Sequence, residues 1–268
     1  MNGVIEILER FRAGRIEAAP GPSEADYFAH WRAQETGAQE TAPMALAGGL
    51  MARSLSQVFI AGYQAALRSV FSGIADDEWA AFAAAEDRHD PENHPGTVLT
   101  GGRVNGFKSW VGQSRHVTRL FVTAKDGETV RILRFEAAQP DIRMTHREAP
   151  KFLAGLSQGF AEFRSAEPLE IVDGVEGRDF ARAEPLYIML AGAGFLLAHG
   201  IEPDRATALT VGLAGYAAGG VYAPKTYAAL DRELTALAGT FDGAGVEGWA
   251  ADRALLSMYS PKIQKRGA

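Results

Sequence analysis

Alanine constrains this chain most, through where it is missing. It is dense up to the Ala83-Ala84-Ala85 run, absent from Glu86 through Thr123, sparse to about Arg178 and dense again to the C-terminus. Alanine is the strongest helix former and is depleted in strands, so the distribution predicts helices, then a sheet, then helices. Spread over 268 residues, this gives an N-terminal helical region (1–96), a central β-domain (97–178) and a C-terminal helical bundle (179–268). The fold class is α+β, with the middle segment an antiparallel β-sandwich or barrel.

In the first segment Val4-Ile5-x-x-Leu8-x-x-Phe11 has a helical period, and Ala19-Pro20-Gly21-Pro22-Ser23 reads as a linker that leaves this stub detached from the core. A short helix is expected over Asp26–Gln34, followed by a polar loop. One long helix then follows from about Pro43 to Phe71, its apolar stripe running Leu46, Leu50, Leu55, Val58, Phe59, Tyr63, Leu67 and Val70. Asp76-Asp77-Glu78 reads as an acidic helix start before Trp79-Ala80-Ala81-Phe82. Strands are predicted at 97–100, 103–104, 107–111, 119–123, 129–135, 142–145 and 159–164, with tight turns at Asn105-Gly106 and Asp126-Gly127. Helices are expected over Phe180–Gly200, Asp204–Gly219, Pro224–Gly239 and Trp249–Gln264, with Asp204 as an N-cap, Gly200 as a stop and Pro224 in a first helical position. Leu186, Ile188, Met189, Leu190, Phe195, Leu196 and Leu197 leave the first of these apolar on more than one face, which predicts a homo-oligomer or a pairing with a related subunit.

Charge and composition exclude several functions. With 27 Lys+Arg against 33 Asp+Glu the net charge is −6, the wrong sign for a protein that grips a phosphate backbone, so no nucleic-acid partner is expected. The chain has no cysteine, which rules out disulfides, thiol catalysis and thiolate metal sites and suits a reducing cytoplasm. The apolar run Leu186–Ala198 is too short to span a bilayer. Walker loops, Gly-x-Ser-x-Gly elbows and zinc spacings are missing, and His89-Asp90-x-Glu92-x-His94 reads as a solvated polar loop in preference to a metal site.

The informative stretch is Trp79-Ala-Ala-Phe-Ala-Ala-Ala-Glu86-Asp87, then Asn105-Gly106-Phe107-Lys108-Ser109-Trp110-Val111, then Val117-Thr-Arg-Leu-Phe-Val-Thr123. Taken in order it resembles the central β-domain of the acyl-CoA dehydrogenase family. There, a Thr-Glu-Pro flavin loop precedes a hairpin of the form Asn-Gly-x-Lys-x-Trp-Ile-Thr and a Val- and Leu-rich strand. The resemblance runs from about Met44 to Arg266 and includes the helix, sheet, helix order.

The resemblance implies a flavoprotein that binds FAD and oxidises the Cα–Cβ bond of an acyl thioester. By position Trp110, Val111 and Gly112 would lie against the flavin ring at a concave junction, Glu86 would stand by the flavin loop, and Glu184 would be the base that takes the α-proton. A flat apolar ring suits an aromatic wall, and a buried glutamate has the raised pKa that proton abstraction needs. Lys262, Lys265 and Arg266 form a cationic end that could approach a CoA phosphate. The residues alone leave a second reading open for each: Trp110 as a core or interface tryptophan, and Glu184, beside Pro185, as a partner of the helix dipole at an early helical turn. Departures from the family pattern are Ala85-Glu86-Asp87 for Thr-Glu-Pro and Gly112 for the hydroxyl residue, with Gln113 and Ser114 next in line. On the phosphate side there is only the echo Gly219-Gly220-Val221-Tyr222. These departures carry the alternative reading, a non-catalytic subunit that pairs with an active relative.

Overall fold

The computed structural model describes residues 1–148, 150–219 and 223–268. Helix α1 (Asn2–Arg12) is followed by α2 (Glu24–Ala33), α3 (Thr41–Met51) and α4 (Leu55–Val70). The predicted long helix is thus two: Ser54 is an N-cap whose hydroxyl accepts from the Gln57 amide, and the chain turns at Ala52-Arg53. Nor is the N-terminal stub detached. Val4, Ile7 and Leu8 are buried, with α1 packed on α3. The linker is held by backbone acceptors: the Ala19 carbonyl takes Arg53 Nε, and the Gly21 and Ser23 carbonyls take Gln57 Nε2 at 2.9 and 3.2 Å.

Among the described residues eight strands follow: β1 (Ala80–Ala83), β2 (Val98–Thr100), β3 (Arg103–Gly112), β4 (Arg119–Asp126), β5 (Thr129–Glu136), β6 (Ile142–His146), β7 (Gln158–Ala166) and β8 (Glu170–Val172). They form one sheet in the order β6-β7-β3-β2-β4-β5-β8, mostly antiparallel, with β1 and β2 both parallel to β4. The sheet is therefore mixed. The Ala80–Ala83 segment is a strand where helix propensity pointed to a helix. Burial decides it: all four residues are enclosed, and β1 pairs with β4 on one side. On α4, Gln64 exchanges bonds with Ala80, its Nε2 donating to the carbonyl (2.8 Å) and its Oε1 accepting from the amide (3.1 Å); Tyr63 Oη accepts from the Phe82 amide (2.8 Å). Two side chains stand in for a missing neighbouring strand.

Asn105-Gly106 is likewise no turn. The turn between β2 and β3 is Gly101-Gly102, and Gly106 lies inside β3 at a bulge against β7. Its φ of +124° and the Gly96 carbonyl, which an added Cβ would meet at 2.5 Å, explain why glycine is needed there.

Helices α5 (Gly177–Ala198), α6 (Pro203–Ala218), α7 (Pro224–Thr240), α8 (Trp249–Asp252) and α9 (Ser260–Gly267) complete the chain. Pro203 takes the first position of α6 and Asp204 lies in its first turn, so Asp204 is not the cap; Pro224 opens α7 and Gly200 follows α5 with φ +70°. The expected helix from Trp249 to Gln264 is broken between α8 and α9 by a 3-10 turn at Arg253–Leu256. The apolar faces of α5 are covered within the chain by α3, α4 and α6, so α5 offers no ground for association. At 22 residues α5 is long and apolar enough to cross a membrane, yet 72% of its most apolar stretch is buried inside the chain, the setting of a core helix.

The helical layer closes through glycines. A Cβ on Gly49 would strike the Ala191 carbonyl, one on Gly62 the Ile188 backbone, and one on Gly194 the Leu46 carbonyl at 2.9 Å. Alanine in a free helix is about 1 kcal/mol better than glycine. Gly215→Ala, on α6 with open space around it, should therefore stabilise by up to about 1 kcal/mol. Gly62→Ala should instead destabilise by about 2 kcal/mol, because backbone must move to admit it. Urea denaturation midpoints of the two variants check the opposite signs.

Candidate functional site

The end of β3 presents the residues singled out from the sequence. Trp110 is partly exposed and packs edge-on against Phe59 (centroids 6.2 Å apart, 89°) and Tyr63 (6.1 Å, 84°), while Nε1 donates to Gln158 Oε1 at 3.2 Å. Val111 and Gly112 pair with Gly159 and Gln158 of β7 and are buried; an added Cβ on Gly112 would meet the Trp110 indole at 2.9 Å. The indole thus lies over Gly112. Gln113 turns inward with φ +53° and accepts from Gln64 Nε2, and its own Nε2 is buried with no partner among the described residues. Ser114 Oγ bonds His146 Nδ1 at 2.9 Å. Neither residue stands in the open where a hydroxyl after the wall would be.

Glu86 meets β3 two residues before that wall, at Lys108. Its Oε1 accepts at 2.8 Å from Lys108 Nζ, which also reaches Thr123 Oγ1 at 2.9 Å, and the lysine side chain is fully buried beneath the sheet. Burial pushes the glutamate up, but Lys108, the Thr97 amide and Lys125 outweigh it and hold Glu86 below the usual carboxylate range. The Asn-Gly-x-Lys pattern therefore owes its lysine to an internal ion pair. Glu86→Ala would strand the ammonium and should cost about 3 kcal/mol, whereas Lys108→Met removes the charge itself and should cost less. Denaturation of the two variants separates the cases.

Glu184 lies elsewhere in its helix than the sequence suggested. The helix begins at Gly177 behind a Glu176–Asp179 capping box, so Pro185 is internal and Glu184 is a full two turns from the positive end of the dipole. It is partly buried and lines a cleft of about 130 Å³ formed by α5, α6, α7 and α9. Tyr216, Tyr227, Tyr259, Leu186 and Ile263 make the walls; Arg182, Lys262 and Arg266 also line it. Burial pushes Glu184 up to about 7, against the pull of a hydrogen bond from Tyr259 and the charge of Lys262. Lys265 is not part of the lining.

Trp110 is not part of this lining either; Tyr63 connects the two places. The Tyr63 ring packs on Trp110 and, at 5.4 Å and 82°, on Phe180, one turn before Glu184 on α5, and its phenol is raised by burial and by the Glu184 charge. Tyr63 and Tyr259 are the residues that sequence reasoning missed. Tyr63 belonged to a core stripe, and nothing in its spacing marks a polar neighbour; Tyr259 stands beside Pro261, a helix-start signal that the sequence does show. Among the described residues no three histidines or carboxylates come together as metal ligands; His94 pairs with Asp87 at 3.1 Å and stacks on Phe107.

A carboxylate whose folded pKa is raised stabilises the protein below its unfolded value, and that contribution is lost as pH rises through about 7. Glu184→Gln should therefore raise Tm relative to the parent at pH 8 and leave it little changed at pH 5, a difference readable by calorimetry at the two pH values.

No protein-family model and no curated protein matches the chain. Solved structures do. A FAD-dependent dehydrogenase is similar with a TM-score of 0.68 over 99% of this chain and 96% of its own, at 13% identity. The butyryl-CoA dehydrogenase of Megasphaera elsdenii is similar with a TM-score of 0.61 over 91% of this chain and 89% of its own, at 10% identity. An acyl-CoA dehydrogenase from Geobacillus kaustophilus is similar with a TM-score of 0.61 over 99% and 97%, at 12% identity. The chain has the acyl-CoA dehydrogenase-like fold.

Proposed function

We propose that this chain is an FAD-dependent, acyl-CoA dehydrogenase-like enzyme that removes hydrogen across the Cα–Cβ bond of an acyl thioester, with Glu184 as the base. One observation carries the reading: in this fold, a glutamate on the first C-terminal helix lines an apolar cleft and is pushed up to about 7, where a general base works best. Among solved proteins of similar structure are a FAD complex of PigA and the butyryl-CoA dehydrogenase.

The residues present suit a flavin ring through Trp110, whose partly exposed indole offers an apolar surface. FAD, when bound, supplies the acceptor for the hydride that leaves the β-carbon. Glu184 takes the α-proton: the C–H bond breaks, an O–H bond forms on the carboxylate, and its electron pair stays with the substrate. Leu186, Ile263 and the tyrosines keep water from the carboxylate. Lys262, Arg182 and Arg266 offer positive charge to an anionic thioester carrier. For the adenosine half of the cofactor, Gly220, Val221 and Tyr222 lie outside the described residues, and no residue is assigned.

The burial of Val111 and Gly112, the latter under the Trp110 indole, favours a second reading, the non-catalytic subunit that pairs with an active relative. A visible spectrum after purification with added FAD separates the two. The enzyme should be yellow and bleach anaerobically with acyl-CoA; Glu184→Gln should keep the flavin and lose nearly all bleaching; and kcat/KM should rise with pH through about 7 as Glu184 ionises. A colourless protein would leave the subunit reading standing.

A further inference from the structure

The start of α4, the chain just before α2, the segment leading to β7 and the chain around α8 enclose a cleft of about 250 Å³ that shares no lining residue with the cleft of Glu184. Two buried groups in its wall lack the partners their chemistry calls for. Ser56, the second residue of α4, is 1% exposed, and its Oγ has no hydrogen-bond partner among the described residues. That hydroxyl faces Gly155, where an added Cβ would meet it at 3.2 Å, and both residues line the cleft. Asp252 is 4% exposed; its Oδ1 accepts from the Leu153 amide at 2.7 Å, and its Oδ2 stands on the side of Gly248, another lining residue. Burial pushes this carboxyl up, and the Leu153 amide is the group that pulls it back; no cation of the chain compensates it among the described residues. Glu247 adds a second, exposed carboxylate, and the lining holds no lysine, arginine or histidine.

We propose that this cleft is a binding site for a small organic ammonium ion, its charge set against Asp252 and Glu247 and one of its N–H groups donated to Ser56 Oγ. The other classes of ligand fit less well. An anion would meet two carboxylates, and the N-terminus of α4 offers it only about half a unit of positive charge, behind a Ser54 cap that already accepts from the Gln57 amide. A metal ion would want more ligands, since among the described residues no three histidines or carboxylates come together and calcium takes about six to eight oxygens. A neutral polyol would leave the buried carboxylate without its countercharge. An alkylammonium has three donors, no acceptor and one positive charge, which answers a wall of oxygen acceptors with a negative balance. The nearest cations along the chain do not take its place: the Arg53 guanidinium bonds the Ala19 carbonyl, and Arg253 lines a different groove. The volume is just under the roughly 300–1,000 Å³ of sites for drug-sized ligands, which suits a smaller molecule.

The test titrates the full chain by calorimetry with n-butylamine and cadaverine, with n-butanol and 1,5-pentanediol as neutral counterparts and glucose as a polyol. About 0.15 M salt screens diffuse attraction to the net charge of −6. At least one amine should bind saturably to one site while its alcohol does not. Asp252→Asn, which keeps an oxygen for the Leu153 amide, should weaken that binding about tenfold or more. Ser56→Ala should weaken it about threefold, and Glu247→Gln by about two- to threefold. In the parent labelled with 13C at aspartate Cγ, the bound amine should lower the midpoint of one carboxyl, a readout that stands whether or not the Asp252 variant folds. No saturable amine binding up to about 10 mM overturns the proposal. So do amine and alcohol binding alike, glucose binding in their place, or an amine affinity that is the same in Ser56→Ala and Glu247→Gln as in the parent.

Discussion

The seating of α5 against the backbones of α3 and α4 is the constraint on which the remainder of the structure depends. Gly49, Gly62 and Gly194 let main chain approach main chain where any side chain would hold the helices apart. Because α3 and α4 precede the sheet and α5 follows it, this contact joins the two ends of the helical material into one layer. It also fixes the sheet, since the polar side of α4, Tyr63 and Gln64, occupies the hydrogen-bonding edge of β1. Moving α4 outward by the width of a methyl group would take these bonds with it. Packing at this density transmits such a shift rather than absorbing it.

Two glutamates show how surroundings divide one chemistry into two roles. Glu86 meets a buried ammonium at 2.8 Å and is held as an anion, a structural charge with nothing left to accept. Glu184 meets a neutral phenol, with Lys262 contributing only its charge, and burial wins. The first is locked in one protonation state; the second stands close to the balance point, which is the condition for exchanging a proton with a bound molecule.

What could be read from the sequence followed what propensity and pattern control. The alanine gap and its turn signals located six of the eight strands described, β2 to β7, because those strands are amphipathic or β-branched and their turns carry glycine. It missed Ala80–Ala83, a strand made by burial and by side-chain bonds from residues 16 to 19 positions earlier, which local sequence does not encode. Asn105-Gly106 misled for a related reason: the glycine answers to a passing backbone at Gly96, a tertiary demand that looks like a turn when only neighbours are visible. Glu184 could be named from its place before Pro185, but not its environment. The capping box that begins the helix at Gly177 shifts the glutamate from a first turn to the middle of the cleft wall, and Tyr259, which completes it, lies 75 residues further along.

That separation bears on the order in which the protein can be assembled. Tyr259, Lys262, Ile263 and Arg266 all belong to the final ten residues, and α9 is attached chiefly through Asp231, Ser260, Gln264 and one buried isoleucine. The residues of the sheet and of the α3–α4–α5 layer all precede these in the chain, so they leave the ribosome first. The cover that raises the pKa of Glu184 is supplied in part by Tyr259, Ile263 and their neighbours in this segment. The lining of the cleft is thus complete only once α9 has docked on α7.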